Sequence, residues 1–129
     1  MRHHFVASLA LVEGPARCRA AEELTFRLRA ENTGLARWPA RGEPAADDRG
    51  AVHLGSHLLR DDEDEVAWDY ARARLPRDIE PGEAVELAVM VRAPERPGRY
   101  VVEFDMLAEH VSWFEDFGSG TLRHEIVVE

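Results

Sequence analysis

PGRYVVEFDML, residues 97–107, is the stretch that decides the fold class of this 129-residue chain. After its Pro-Gly turn, large apolar side chains recur at every second position. Successive side chains of a β-strand point to opposite faces of the sheet, so the pattern predicts a strand with one face on a core. The two expected faces are an inward set, Tyr100, Val102, Phe104 and Met106, and an outward pair, Glu103 and Asp105.

The same alternation recurs along the chain, with turn signals such as NTG, EPGE and RPGR between most of the segments. Several short alternating strands separated by turns predict an antiparallel β-sandwich, here a single domain over residues 1–129. The clearest further strands are ELTFRLRAE (23–31), AVELAVMVRAP (84–94) and LRHEIVVE (122–129), and weaker ones are expected at about 3–12, 51–59 and 66–74. A polar loop is expected at 39–50 and an acidic turn at 60–65.

One detail narrows the fold class. In PGRYVV, a turn leads into Gly98-x-Tyr100-x-Val102. This resembles the tyrosine corner of immunoglobulin-like domains, in which the phenol bonds back to the backbone where the chain crosses between sheets. Val102 stands where antibody domains carry a cysteine. The expected fold is therefore all-β, an immunoglobulin-like antiparallel β-sandwich of about seven strands.

Composition and charge exclude several classes of function. Hydrophobic residues make up 45% of the chain, and the net charge is −9. This acidic balance argues against binding the nucleic-acid backbone or an anionic lipid surface. Cys18 is the single cysteine and has no partner for an internal disulfide. No segment approaches the roughly 20 apolar residues of a membrane span, so we expect no membrane insertion and a cytoplasmic protein, of an oligomeric state that the sequence leaves open.

Catalytic and metal motifs are weak. His53 and His57 have a spacing that suits a metal on a helix, but on the strand predicted there they lie about 13 Å apart. We therefore predict solvated histidines. The acidic run 61–65 lacks the glycine of a calcium-binding loop. No nucleophile motif or phosphate-binding loop is present, and the abundant acids select no catalytic pair. We predict no enzyme activity, no metal and no cofactor.

The segment AEHVSWFEDFG, residues 108–118, concentrates polar and aromatic side chains at the end of a predicted strand. Trp38 and Trp68 are expected in the core, since each buries a large area. For Trp113 two alternatives stay open, a plug that seals the core and a partly exposed platform on which a sugar ring stacks. In the second case Phe114 would add an apolar contact, and Glu109 with Asp116 would accept hydrogen bonds from hydroxyls.

Residues 32–121 resemble bacterial immunoglobulin-like accessory domains, which are attached to or encoded near the glycosyltransferases and methyltransferases of surface-polysaccharide synthesis. The most specific features are Arg74-Leu75-Pro76, Pro81-Gly82, Pro97-Gly98-x-Tyr100 and Glu109-x-x-x-Trp113-Phe114. In those relatives a glycine commonly follows the glutamate, where this chain has His110. A looser similarity, in NTG…WP and the Pro-Gly turns, links the chain to the four-tryptophan domain of autophagy cargo receptors.

The resemblance implies a non-catalytic module. The first hypothesis is an accessory domain of polysaccharide or glycan biosynthesis that recognises a glycan or a protein of that machinery, with Trp113, Phe114, Glu109 and Asp116 as the candidate contacts. The alternative is a protein-interaction domain that recruits its partner by strand addition at a sheet edge. A hydrolase is a distant third.

Overall fold

The computed structural model of the chain describes residues 4–61 and 64–129. Within these ranges the chain forms ten strands and two short 3₁₀ turns, Pro44–Ala46 and Phe114–Phe117. The strands are β1 (Ala7–Glu13), β2 (Arg17–Cys18), β3 (Glu23–Asn32), β4 (Val52–Arg60), β5 (Glu65–Ala67), β6 (Ala73–Arg74), β7 (Ala84–Arg92), β8 (Gly98–Ala108), β9 (Ser112–Trp113) and β10 (Leu122–Val128). No helix in the described part is long and apolar enough to cross a membrane.

Two sheets face each other across the core. The smaller has the order β1-β3-β7 and is antiparallel. The larger has the order β2-β10-β8-β4-β5, with β6 also pairing with β4 and β9 with β8. β2 runs parallel to β10, whereas the other pairs of this sheet are antiparallel. The predicted immunoglobulin-like β-sandwich is confirmed.

The alternation in the sequence correctly identifies the core faces. Every second residue of β3 is buried, and the apolar side chains of β8 that were expected to point inward are buried as well. Phe26 of the small sheet meets Phe104 of the large sheet, with ring centroids 5.3 Å apart. Such contacts between the inner faces hold a sandwich together.

The tyrosine corner is also present. The hydroxyl of Tyr100 donates a hydrogen bond to the carbonyl oxygen of Arg96 at 2.7 Å. The bond spans the turn that leads into β8 and fixes the tyrosine at the start of the strand. Val102, two residues further on, is fully buried.

The single strand expected at 66–74 is wrong. The segment forms the two short strands β5 and β6, and the regular ladder with β4 is interrupted between them, although the amide of Tyr70 still donates to the carbonyl of Ser56 at 3.0 Å. Ser56 explains the interruption, because its hydroxyl both donates to the carbonyl of Ala71 and accepts from the amide of Ala71, each at 3.0 Å.

The other boundary predictions have mixed outcomes. The first strand begins at Ala7, whose amide donates to the hydroxyl of Ser119 at 3.0 Å, and residue 3 of the expected strand lies outside the described residues. The acidic turn at 60–65 includes residues 62 and 63, which also lie outside them. The polar loop at 39–50 contains the first 3₁₀ turn.

The tyrosine corner gives a test of the fold. We expect Tyr100→Phe to lower the free energy of unfolding by about 1 kcal/mol, because the Arg96 carbonyl loses its partner while the ring stays in place. Urea unfolding monitored by circular dichroism measures this. Met90→Leu, an exposed change on the other sheet, serves as the control. An unchanged stability in Tyr100→Phe would contradict a structural role of the hydroxyl.

Candidate functional site

The outer face of the large sheet, which points away from the sandwich core, is buried along its two central strands. On β4 this face carries His53, Gly55 and His57, which lie opposite Leu107, Asp105 and Glu103 of β8. All four of the polar side chains are buried. The predictions that both histidines are solvated and that both carboxylates face solvent are therefore wrong, because another part of the chain covers this face.

The cover is the segment that follows β8. It contains β9 and the second 3₁₀ turn, and it folds back so that Trp113 pairs with Leu107. The indole lies over Gly55: a β-carbon at that position would be 2.5 Å from a ring carbon of Trp113. Any larger residue at position 55 would displace the ring, so the glycine allows the indole of Trp113 to pack directly on the sheet.

Trp68 forms a flat surface beside Trp113. Its indole stacks on the imidazole of His57, with centroids 3.6 Å apart and planes 14° apart. Trp113 packs edge-on against Trp68, with the two ring centroids 6.0 Å apart. Trp68 nevertheless remains 46% exposed, so the indole face opposite His57 is open to solvent. The prediction that Trp68 is a core residue is wrong, whereas Trp38 is fully buried as expected.

His57 contacts both the ring and the backbone of Trp68. Nδ1 of His57 is hydrogen-bonded to the carbonyl oxygen of Trp68. A carbonyl can only accept, so Nδ1 of His57 carries a proton and donates it to this bond. Among the described residues, Nε2 has no hydrogen-bond partner.

A polar cleft of about 400 Å³ opens at the other end of the same face. Arg72 connects it to the tryptophan surface, because its guanidinium donates to both carboxylate oxygens of Asp69 at 3.0 Å and to Glu109 at 2.5 Å. Nδ1 of His53 lies 3.3 Å from the same Glu109 oxygen. The cleft is lined by Asp47, Asp48, His53, Arg72, Arg74 and Glu109.

The charges of the cleft compensate one another. Burial lowers the pKa of His53; the carboxylate of Glu109 opposes this effect, while Arg74 and Arg72 add to it. The hydrogen bonds to Asp69 raise the pKa of Arg72. Arg74 lies 3.6 Å from the carboxylate of Asp48. Both arginines of the cleft thus have carboxylate partners.

The cleft and the tryptophans lie in one line. Positions 53, 55 and 57 of β4 share a face, so the cleft wall at His53 and the Trp68 support at His57 are separated by about 13 Å. Trp113 lies between them, over Gly55. The face therefore offers an elongated surface with an aromatic end and a polar end.

Of the four predicted contacts, the structure contradicts one, Phe114. Phe114 is fully buried and packs edge-on against Trp38, so its predicted role as an apolar surface contact is wrong. The 3₁₀ turn that begins at this residue directs its ring into the core. Asp116 is exposed and accepts a hydrogen bond from Ser112 within its own segment. Trp113 is half-buried between the sheet and Trp68.

Glu109 does lie at the site, in the cleft. Its amide donates to the carbonyl of Ala51, and its own carbonyl accepts from Gly50, both within hydrogen-bond distance at 2.8 and 2.9 Å. His110, the next residue, has a φ of +58°, a left-handed conformation that glycine adopts most readily. A glycine at this position would adopt the turn with less strain than His110.

Sequence reasoning missed Trp68 as a surface residue and did not select Arg72, Arg74 or Asp48 as site residues. These residues come from separate segments that meet only in the fold. One signal was available: a glycine inside a predicted strand, here Gly55, marks a close approach of another group. No group of three metal-ligating side chains occurs in residues 4–61 or 64–129.

Asp105 is the most perturbed group beneath the cover. It is fully buried, its Oδ2 accepts from the amide of Glu115 at 3.0 Å, and its Oδ1 has no partner among the described residues. Burial raises its pKa to about 7, although backbone hydrogen bonds oppose the rise. This carboxyl group anchors the segment that carries Trp113.

Comparison with solved structures supports the fold. The chain is similar to the CARDB domain of PF1109 from Pyrococcus furiosus, with a TM-score of 0.58 and 12% identity over 96% of both chains. It is also similar to part of a beta-glucosidase from Listeria innocua solved in complex with laminaribiose, with a TM-score of 0.58 and 12% identity. That match covers 95% of this chain and 16% of the beta-glucosidase.

The fold thus defines a small immunoglobulin-like module. No protein-family model matches the sequence. The sequence also matches no curated protein. The similarities rest on structure at low identity and therefore establish the fold alone.

Asp105 gives a prediction with a defined sign. Because its pKa is raised on folding, from 3.8 to about 7, its contribution to stability is most favourable below pH 4 and is lost as the pH rises through 7. At about 1.4 kcal/mol per pKa unit, Asp105→Asn should be more stable than the wild type at pH 8 by up to about 4 kcal/mol. At pH 4 this advantage should disappear.

Urea unfolding at several pH values measures this difference. The asparagine oxygen can still accept from the Glu115 amide, so the anchor is kept. Glu95→Gln, in an exposed turn, is the matched control and should leave the pH dependence unchanged. If the pH profile of Asp105→Asn coincided with that of the wild type, Asp105 would not be a perturbed carboxyl group.

Proposed function

We propose that this protein is a non-catalytic glycan-binding module of polysaccharide or glycan metabolism. The observation that carries the proposal is the indole of Trp68, which is held on one face by His57 and open on the other. Aromatic faces provide apolar contact area for the C–H faces of sugar rings, and neighbouring polar groups then fix the orientation of the hydroxyls.

The polar groups required are next to the platform. Asp69 follows Trp68 directly in the chain, and Arg72 links it to Glu109 and so to the cleft. Together these side chains offer donors and acceptors, which suits a hydroxyl because it can both donate and accept. Trp68 is also fixed before a ligand arrives, so little conformational entropy is lost on binding.

The arrangement favours binding over acid–base chemistry. A general acid or base needs a carboxyl group that is free to exchange a proton with the substrate. Glu109 instead accepts from Arg72 at 2.5 Å, and Asp48 lies 3.6 Å from Arg74. We therefore assign these carboxylates to hydrogen bonding.

Two similarities support a place in glycan metabolism. The sequence from Asn32 to Thr121 resembles accessory domains found beside sugar-transfer enzymes. The fold is also similar to a segment that makes up 16% of a beta-glucosidase. These similarities associate the module with carbohydrate enzymes, and the ligand-binding role itself is inferred from the Trp68 surface.

The proposal predicts that Trp68→Ala weakens glycan binding by about tenfold or more, because the stacking surface is lost. A glycan array first identifies oligosaccharides bound by the wild type, and calorimetry then compares the variants. Met90→Ala, which removes another exposed side chain on the opposite sheet, is the control and should bind like the wild type. Circular dichroism verifies that both variants fold.

A folded Trp68→Ala variant that binds the same oligosaccharides with unchanged affinity would contradict the proposal. So would an array on which the wild type binds no glycan.

A second candidate function, protein binding by strand addition, is favoured by the edge strand β7. It is nine residues long and pairs with β3 on one side. The amide of Ala93 donates to the carbonyl of Glu22, so the odd-numbered residues of β7 point their backbone groups toward β3. The backbone groups of Glu86, Ala88 and Met90 therefore point outward from the edge. An extended segment of a partner protein can pair there.

This second function predicts that Ala88→Pro abolishes capture of a protein partner while leaving the fold intact. Proline removes the outward amide of an edge strand but spares the bonds to β3. Cross-linking and affinity purification from the native host measure the capture, with Ala88→Ser as the control. Unchanged glycan binding in Ala88→Pro would separate the two functions.

A further inference from the structure

We infer that the ligand is a neutral oligosaccharide that runs along β4 from Trp68, past Trp113, to the polar cleft beside His53. This inference rests on the proposed function and specifies its ligand. It assigns a length and a charge to the glycan, neither of which follows from the stacking surface alone.

The length follows from the order of groups on the outer face. Three positions of β4 follow one another on this face. His57 contacts Trp68, Gly55 lies under Trp113, and His53 lines the cleft. The first and last of these positions are about 13 Å apart along the strand. A single sugar ring on Trp68 does not reach the cleft over this distance. A linear chain of several rings does, and its end then enters a cavity of about 400 Å³.

Contact along the middle of this path is provided by Trp113. It is half-buried, and its ring centroid lies 6.0 Å from that of Trp68 with the planes 66° apart, so the two indoles offer neighbouring apolar contacts. An extended chain therefore crosses an apolar stretch before it reaches the polar end.

The charge follows from the pairing of ions in the cleft. Recognition of a sugar carboxylate requires a cation that is free to bind it. Arg72 already bonds to Asp69 and Glu109, and Arg74 lies 3.6 Å from Asp48. His53 contacts Glu109 at 3.3 Å, and its burial disfavours the charged form. The net charge of −9 adds a long-range repulsion of anions.

Uncharged hydroxyls fit this environment better than either kind of ion. They can accept from the exposed N–H groups of Arg74 and donate to the carboxylates without breaking an existing pair. Asp47 is exposed at the rim, so an amino sugar is the main competitor. The test therefore includes a cationic series as well as an acidic one.

The experiment uses calorimetry on the full chain with neutral gluco-oligosaccharides from disaccharide to hexasaccharide. Oligogalacturonides form the acidic series and chitosan oligomers the cationic series. Arg74→Ala truncates an exposed side chain of the cleft. Arg96→Ala is its matched control, because Arg96 precedes β8 and so lies at the opposite end of that strand from Glu109.

We expect the affinity of the wild type to rise at least tenfold from the disaccharide to the longer neutral oligomers. Arg74→Ala should lose this gain, and Arg96→Ala should retain it. Neutral oligomers should bind more tightly than either charged series at physiological salt concentration.

Other outcomes overturn the inference in distinguishable ways. Affinity that depends on Trp68 but not on oligomer length would refute the extended path and leave the proposed function intact. Tighter binding of the acidic or cationic series would refute a neutral ligand. Absence of binding in all three series would refute the inference, and the glycan array would then decide on the proposed function separately.

Discussion

The contact between Trp113 and Gly55 is the constraint on which the candidate site depends. Without a side chain at position 55, the indole lies directly on the sheet, and it then contacts both His57 and Trp68. The same segment buries Asp105 and brings Glu109 to the cleft. A residue with a β-carbon at position 55 would therefore displace the segment after β8, and with it the support of Trp68 and the position of Glu109 in the cleft. Sandwich domains ordinarily leave an outer face solvated, and here that face has become a second, partly polar interior.

The fold itself was largely predictable from the sequence. Period-2 alternation identifies which side chains share a face, and the Tyr100 corner identifies the class of sandwich. Both are local signals, and both are confirmed by the buried residues of β3 and β8 and by the bond to Arg96. The prediction of one strand at 66–74 is wrong because the Ser56 hydroxyl, and not a backbone group of β4, bonds to the backbone of Ala71. That replacement depends on residues far apart in sequence.

The site was less predictable, for a physical reason. The alternation of apolar and polar residues in a strand indicates which face of the sheet a side chain points to. It does not indicate whether another segment of the chain covers that face. Asp105 points away from the core as expected, yet it is fully buried because residues 112–118 fold back over it. The same return of the chain carries the ring of Phe114 into the core, where a surface contact was expected. Glu109 was the one predicted contact that reached the cleft, and the left-handed turn at His110 directs the chain back from it.

The buried polar groups beneath the cover also bear on function. Nε2 of His57 and Oδ1 of Asp105 lack partners within the described residues, which costs stability relative to an apolar pair. If residues 112–118 served only to cover the sheet, apolar side chains would be favoured at positions 57 and 105. An imidazole, however, both stacks on Trp68 and bonds to its backbone carbonyl, so it fixes the plane and the position of the indole. A leucine could pack there but could not form the hydrogen bond. Locally unfavourable groups that orient an exposed aromatic ring are expected where orientation matters more than stability, as the binding function proposed above requires.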